Sequence, residues 1–139
     1  ITLRYISRSD GTCLSATLEI QVGNNESGSE PQYVILPIES KSGKIKRMPD
    51  EILMPQNRTL QDGVASLLKS DQKIPHWLTI VNGSSQAHEL VPDLWAVAWD
   101  WIVTPDGAVL LEGNSNWSLS TPQMLEGGFI QNSVLSKRK

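Results

Sequence analysis

The strongest structural signal in the sequence is a pair of apolar segments, 94–104 and 108–112, joined by Pro105-Asp106-Gly107. Proline, aspartate and glycine together are typical of a tight turn. The first segment is apolar on both of its sides, with Trp99 on one and Ala98 on the other, as in a strand that is buried on both faces. The sequence therefore predicts an antiparallel β-hairpin whose first strand lies inside a sheet.

The turn also predicts which residues face each other across this hairpin. If Pro105-Asp106-Gly107 is a three-residue loop with Gly107 in the left-handed conformation, counting back along both strands places Asp100 opposite Glu112. Their Cβ atoms would then be about 4.5–5.5 Å apart. Asn114 lies two residues beyond Glu112 and so on the same face. The hairpin would present two carboxylates and one amide at close range.

Two opposed, ionised carboxylates in a buried strand pair repel each other and lose hydration, so they need a cation, a basic partner or a shared proton. Asp100, Glu112 and Asn114 would offer oxygen ligands, the set that Mg²⁺ or Mn²⁺ prefers. An arginine or lysine that occupied the acids would contradict this metal site. A two-residue loop at Asp106-Gly107 would place Glu112 opposite Trp101, and the acids would then be incidental charges on a solvated hairpin.

The first part of the chain is rich in strand patterns. Alternating polar and apolar residues predict three strands, over 1–7, 12–22 and 33–38. Ser9-Asp10-Gly11 reads as a turn that joins the first two strands into a hairpin. A further short strand is predicted from Lys44 to Met48.

Two helices are predicted in the second part. One begins at Ile74-Pro75 and ends at Pro92, with Asn82-Gly83-Ser84-Ser85 weakening its middle. The other is short and runs from Thr121-Pro122 to Glu126. Strands and helices in this order predict an α+β fold with a mainly antiparallel sheet and flanking helices.

Size and composition restrict the class of protein. A chain of 139 residues, 39% hydrophobic and 19% charged, suits one folded domain, expected at 1–130 with a basic tail at 131–139. A net charge of −3 gives no electrostatic basis for binding nucleic acid. No apolar run reaches the roughly 18 residues of a membrane span. The single cysteine, Cys13, suits a reducing compartment, and we expect a cytoplasmic protein.

The sequence from Trp99 to Asn114 reads WDWIVTPDGAVLLEGN and resembles the end of ATP-grasp domains. It is most similar to the sugar-transfer-associated branch, whose pattern is roughly Gly-Trp-Asp-x-Ala-x-Thr-x-Asp-Gly-Pro-x-Leu-x-Glu-x-Asn. Thr2-Leu3-Arg4 resembles the family's strand with a phosphate-contacting arginine. Ile74-Pro75-His76-Trp77 resembles the Ile-Pro-x-Trp that precedes the family's helix, and Trp77 is interpreted as a packing residue.

The resemblance implies the C-terminal lobe of an ATP-grasp fold, in which Asp100, Glu112 and Asn114 hold the Mg²⁺ (or Mn²⁺) ions that bridge the phosphates of ATP. It implies that Arg4 binds phosphate and has a catalytic role, because a cation there stabilises the transferring phosphoryl group. The other interpretation of Arg4 is a surface residue on an edge strand.

The implied reaction is an ATP-dependent ligation of small molecules. ATP phosphorylates a carboxylate, and an amine then displaces phosphate from the acyl-phosphate. The family's adenine pocket and phosphate-binding lysines belong to an N-terminal lobe that should precede residue 1. We therefore expect this chain to be a fragment whose missing lobe completes the ATP site, and to be inactive alone.

Five tryptophans leave a second interpretation open, a non-catalytic module for carbohydrate binding or protein interaction. Trp95, Trp99 and Trp101 lie in one apolar run, which favours core packing over a sugar-binding surface. His76 and His88 have no ligand or nucleophile at a recognisable spacing, so neither receives a role.

Overall fold

The computed structural model describes residues 2–22, 32–46 and 72–126 of the chain. Within these ranges the elements are, in chain order, β1 (Thr2–Arg8), β2 (Cys13–Val22), β3 (Gln32–Pro37), α1 (Trp77–Glu89), β4 (Ala96–Thr104), β5 (Gly107–Asn114) and α2 (Ser120–Glu126). Lys44 and Ile45 make isolated β-bridges, and Met48, at the end of the predicted short strand, lies outside the described residues. The predicted tail at 131–139 also lies outside them, so the domain division remains a prediction.

The five strands form one sheet in the order β3-β2-β1-β4-β5, and every neighbouring pair is antiparallel. The predicted α+β fold with a mainly antiparallel sheet is therefore confirmed. β1 and β2 form the expected hairpin. β4 returns to pair with the other side of β1, so β1 is an interior strand and Arg4 does not lie on an edge. None of the helices in the described ranges is long and apolar enough to cross a membrane.

The two faces of the sheet differ in composition. Helix α1 packs on one face, over a core that includes Leu3, Tyr5, Trp99 and Trp101. The opposite face, called the polar face below, carries a small apolar cluster at one end and charged residues beside it. The cluster consists of Ile6, Leu14, Ala96 and Ala98, with Trp95 and Trp117 packed against it.

Helix α1 runs without interruption through the segment expected to weaken it. A Cβ atom on Gly83 would lie 2.6 Å from the Cη2 atom of Trp101, so the helix approaches the sheet closely because this residue has no side chain. Trp101 donates a hydrogen bond of 3.0 Å from its indole nitrogen to the hydroxyl of buried Ser84. Gly83 therefore leaves room for the ring of Trp101, and Ser84 accepts its indole hydrogen bond. This packing outweighs the poor helix propensity of the two residues.

The start of α1 is fixed by contacts with two loops. The helix begins at Trp77, later than the predicted Ile74-Pro75, and His76 before it adopts a left-handed conformation with φ of 56°. The Nε2 atom of His76 lies 3.1 Å from the carbonyl oxygen of Pro105 in the β4–β5 turn. Trp77 is buried and donates a hydrogen bond of 3.1 Å to the carbonyl of Ser40. Its predicted packing role is confirmed.

A buried serine–histidine pair holds the other end of α1. The hydroxyl of Ser7 lies 2.6 Å from Nδ1 of His88 and accepts a hydrogen bond of 2.8 Å from the indole nitrogen of Trp99. The Nε2 atom of His88 lies 2.8 Å from the carbonyl oxygen of Leu94. A carbonyl only accepts, so Nε2 donates to it, and in the neutral ring Nδ1 then accepts the hydroxyl proton of Ser7. His88 thus has the hydroxyl partner that its sequence context did not indicate, in a structural role within the core.

We expect Gly83→Ala to destabilise the protein although alanine is the better helix former. The gain in helix propensity is about 1 kcal/mol, whereas overpacking a well-filled core costs about 1–3 kcal/mol. Trp101 is held by Ser84 and has little freedom to move. Urea unfolding followed by tryptophan fluorescence measures the difference. Asn82→Ala, at an exposed position of the same helix, is the matched control and should be neutral or slightly stabilising. Equal stability of the two variants would contradict this packing account.

Candidate functional site

The β4–β5 hairpin brings the two predicted acids opposite each other, but by a different route from the one expected. The turn is a two-residue connection, with Thr104 paired to Gly107, and the glycines with positive φ in the described residues are Gly11 and Gly43. The predicted three-residue loop with a left-handed Gly107 is therefore wrong.

A β-bulge restores the predicted pairing. The register shifts between Asp100 and Trp101: Trp101 pairs with Leu110, whereas Asp100 pairs with Glu112. Leu111 is the extra residue on β5. Without the bulge, regular pairing outward from a two-residue turn would place Glu112 on the same face as the tryptophans. The bulge therefore turns Glu112 toward the polar face.

Asn114 joins the two acids. Its side-chain nitrogen donates to Oε1 of Glu112 at 3.0 Å and to Oδ2 of Asp100 at 3.3 Å. The three predicted ligand residues therefore meet at one place on the polar face. In this arrangement the amide nitrogen faces the acids. Half a turn of the amide group presents its oxygen instead, the atom that a cation would require.

Arg4 is the strongest partner of Asp100. It lies directly opposite Asp100 on the neighbouring strand β1. Its Nε donates to Oδ1 at 2.8 Å and its Nη2 to Oδ2 at 2.9 Å, which is a bidentate, charge-assisted pair. Asp100 itself is buried. This contact could not be predicted from local patterns, because the two residues are far apart in the chain and only the strand order makes them neighbours.

A third acid, Glu19, belongs to the same cluster and was missed in the sequence. It lies on β2, two residues from the direct partner of Arg4, and therefore diagonally across from it on the same face. Its Oε1 is 3.6 Å from Nη1 of Arg4. Alternation along β2 would have placed Glu19 on the polar face, but its proximity to Arg4 depends on the hairpin register.

The cluster holds more negative than positive charge. The pKa of Arg4 is raised above its ordinary value, first because the guanidinium donates hydrogen bonds to Asp100, and further by the charges of Glu19, Asp100 and Glu112, although burial acts in the opposite direction. Burial raises the pKa of the Glu19 carboxyl, and the charge of Asp100 adds to this, while Arg4 acts against both. The positive charge of one guanidinium thus interacts with the negative charges of three carboxylates.

The chemistry of these residues fits a divalent cation. Two carboxylates and an amide are hard oxygen donors of the type that Mg²⁺ takes. Within the described residues no group of three His, Cys, Asp or Glu side chains is close enough to hold a metal, so the amide of Asn114 is needed to complete the set. Asp100, however, is held by Arg4, and an arginine on these acids was the observation expected to count against a metal. Any cation has to compete with it.

A glycine separates the two candidate ligands on β5, Glu112 and Asn114. Gly113 lies opposite Trp99, and a Cβ atom on it would be 2.4 Å from the Cζ3 atom of that ring. A glycine between Glu112 and Asn114 therefore lets β5 pass close to the tryptophan. Trp99 thereby contacts the strand that carries two of the three candidate ligands.

The family model for sugar-transfer associated ATP-grasp matches residues 64–137 of the chain. The match covers more than half of the chain. This chain belongs to the sugar-transfer-associated ATP-grasp family. The comparisons with curated proteins and with solved structures found no match.

Membership of the ATP-grasp family indicates ATP-dependent, ligase-like chemistry, and the family generally uses ATP and Mg²⁺. The matched residues include α1, β4 and β5, and with them Asp100, Glu112 and Asn114. Arg4 and Glu19 lie outside the matched residues. The case for their involvement therefore depends on geometry rather than on the family match.

The tryptophans do not form a shared surface for sugar stacking. Trp77, Trp99 and Trp101 are buried in the core. Trp95 and Trp117 stack on each other, with ring centroids 6.5 Å apart and planes 19° apart. Trp99 and Trp101 therefore pack in the core, which is the interpretation that the apolar run favoured.

The raised pKa of Glu19 predicts how stability depends on pH. A carboxyl whose pKa is higher in the folded state stabilises the fold while it is protonated, and this contribution is lost as the pH rises from the unfolded value of about 4.3 through the folded value. Glu19→Gln cannot ionise. Its free energy of unfolding relative to the unmodified protein should therefore increase as pH rises through this window and then level off. Urea unfolding at a series of pH values measures this difference. A difference that moves in favour of the unmodified protein would show that the attraction to Arg4 outweighs burial.

Proposed function

We propose that this chain supplies the metal-binding and phosphate-binding side of an ATP-dependent carboxylate–amine ligase. The observation that carries the proposal is the meeting of Asp100, Glu112 and Asn114 at one place on the polar face, within the residues that the family model matches. Asp100, Glu112 and Asn114 would hold Mg²⁺ (or Mn²⁺), and the nucleotide bound with it would be ATP. The bound ions would supply Lewis-acid neutralisation of the phosphate charge.

The charge of the cluster supports a cationic ligand. Asp100, Glu112 and Glu19 carry three negative charges, and Arg4 supplies one positive charge. This leaves an excess of two negative charges in a partly buried place, where charges interact more strongly than in water. A divalent cation is the ligand that balances this excess.

Arg4 would act on the phosphate groups. Its guanidinium is planar and matches the oxygens of a phosphate as well as those of a carboxylate. Bound to the phosphoryl group during transfer, it would stabilise the charge that develops there. The side chain keeps about a third of its surface exposed, 34%, so an incoming phosphate can reach it.

The proposed reaction requires no nucleophile from the protein. A substrate carboxylate attacks the terminal phosphorus of ATP, and ADP leaves. An amine then attacks the acyl carbon, the carbon–oxygen bond to phosphate breaks, and inorganic phosphate leaves with the amide formed. The chain's residues would position the phosphates and neutralise charge, which is the main requirement of phosphoryl transfer. The adenine site and the remaining phosphate contacts would come from an N-terminal lobe.

Substitution of the candidate ligands should abolish the magnesium dependence of nucleotide binding. Glu112→Gln is the sharper variant, because Glu112 is exposed and its hydrogen bond shown here is to Asn114, so the Arg4–Asp100 pair stays intact. In the protein with both lobes, we expect Mg²⁺-dependent ATP affinity to fall at least about tenfold for Glu112→Gln and for Asp100→Asn. Calorimetric titration of ATP with Mg²⁺ and with a chelator measures this dependence.

Asp106→Asn provides the matched control. It removes the same charge from the exposed turn of the same hairpin, away from the three candidate ligands, and should leave ATP affinity unchanged. Equal loss in all three variants would mean that net charge alone matters. ATP binding that persists in chelator and in Glu112→Gln would exclude the proposed site.

A further inference from the structure

The guanidinium of Arg4 divides its nitrogen atoms between two carboxylates. Nε and Nη2 bind Asp100 at 2.8 and 2.9 Å, whereas Nη1 faces Glu19 at 3.6 Å. The distance of 3.6 Å between Nη1 and Oε1 of Glu19 is that of an ion pair and is too long for a hydrogen bond. Arg4 is therefore fully engaged on one side and has a second acid within reach on the other.

A cation on Asp100 would share the carboxylate with the guanidinium of Arg4. Oδ1 receives Nε and keeps one lone pair, whereas Oδ2 receives Nη2 together with the amide of Asn114. The cation and the guanidinium would repel each other at this short distance, so binding a cation through Asp100 favours the release of Arg4. A partly buried guanidinium without a partner is costly, because it has lost hydration and gained no hydrogen bond in return.

We propose that Glu19 is a positioning residue that takes over Arg4 from Asp100 when Asp100 binds a cation. The inference rests on the proposed function, since it assumes that Asp100 is a metal ligand. A small approach of Nη1 to Oε1 turns the ion pair into a hydrogen bond and leaves the other nitrogens free for a phosphate. Arg4 is then a built-in competitor of the cation, and Glu19 determines how strongly it competes.

The raised pKa of Glu19 agrees with this role, because burial raises the pKa by more than the charge of Arg4 lowers it. Its carboxylate is poorly compensated while the guanidinium stays on Asp100. Transfer of Arg4 to Glu19 would compensate the negative charge of the Glu19 carboxylate and would free Asp100 at the same time.

A double-mutant cycle on Mn²⁺ affinity separates this role from a simple charge effect. The experiment uses the full-length protein, and electron paramagnetic resonance of free Mn²⁺ measures the bound fraction. We expect Arg4→Gln to tighten Mn²⁺ binding about tenfold and Glu19→Gln to weaken it on the order of fivefold, within the usual range of coupling between sites. In the Arg4→Gln background, Glu19→Gln should have no further effect. Glu89→Gln, an exposed acid at the end of α1 on the other side of the sheet, is the charge-matched control.

Each result of the cycle decides the question. Equal weakening by Glu19→Gln with and without Arg4 would mean that Glu19 acts by its own charge or as a ligand, and would overturn the inference. No effect in either background would also overturn it. Mn²⁺ binding that Asp100→Asn leaves unchanged would overturn the proposed function and this inference together, whereas loss in Asp100→Asn with an additive cycle removes the inference alone.

A second measurement needs no substitution. The Nε–H group of Arg4 donates to Asp100, so its nuclear magnetic resonance signal should move when diamagnetic Mg²⁺ saturates the protein. A signal that stays in place at saturation would overturn the transfer of Arg4.

Arg4→Lys keeps the charge without the bidentate contact, and in the cycle it should tighten Mn²⁺ binding less than Arg4→Gln.

Discussion

The alternation of side chains along β4 determines the arrangement of everything around it. Trp99 and Trp101 point into the layer beneath α1, where hydroxyl groups of Ser7 and Ser84 accept their indole hydrogen bonds. Asp100, between them, must therefore point to the opposite face. A shift of one residue would bury an ionised carboxylate in the tryptophan core, at a cost of several kcal/mol. The packing of two large rings thus fixes the direction of one small acid.

The same constraint explains the irregularity of β5. Its first half must supply Ala108 and Leu110 to the core beneath α1, and its second half must supply Glu112 and Asn114 to the polar face. A regular strand cannot do both, because all four residues have even numbers and would share one face. The extra residue Leu111 reverses the alternation at the required point. Bulges are common next to functional sites for this reason, since they redirect a side chain without ending the strand.

Local patterns were sufficient to predict the strands and the hairpin, because these depend on neighbours in sequence. The details that depend on contacts between distant parts could not be predicted. The bulge at Leu111 compensates for a turn one residue shorter than expected, so the pairing was predicted correctly on a wrong turn geometry. Gly83 looked like a helix breaker because its partner, Trp101, belongs to a strand that follows later. Arg4 could be placed beside Asp100 only once the strand order was known, and beside Glu19 only once the register of the β1–β2 hairpin was known.

The pair between Arg4 and Asp100 affects the stability of the protein without ligand. A cluster of three carboxylates on a partly buried face would weaken the fold if no cation were present, and the guanidinium reduces that repulsion. The same contact would lower the affinity of Asp100 for a cation, because the cation and the guanidinium repel each other. In the proposed function, stability without ligand and affinity for ligand would therefore be opposed at this site. The proposed transfer to a second acid would ease the opposition, since the guanidinium would exchange one partner for another instead of losing its partner altogether.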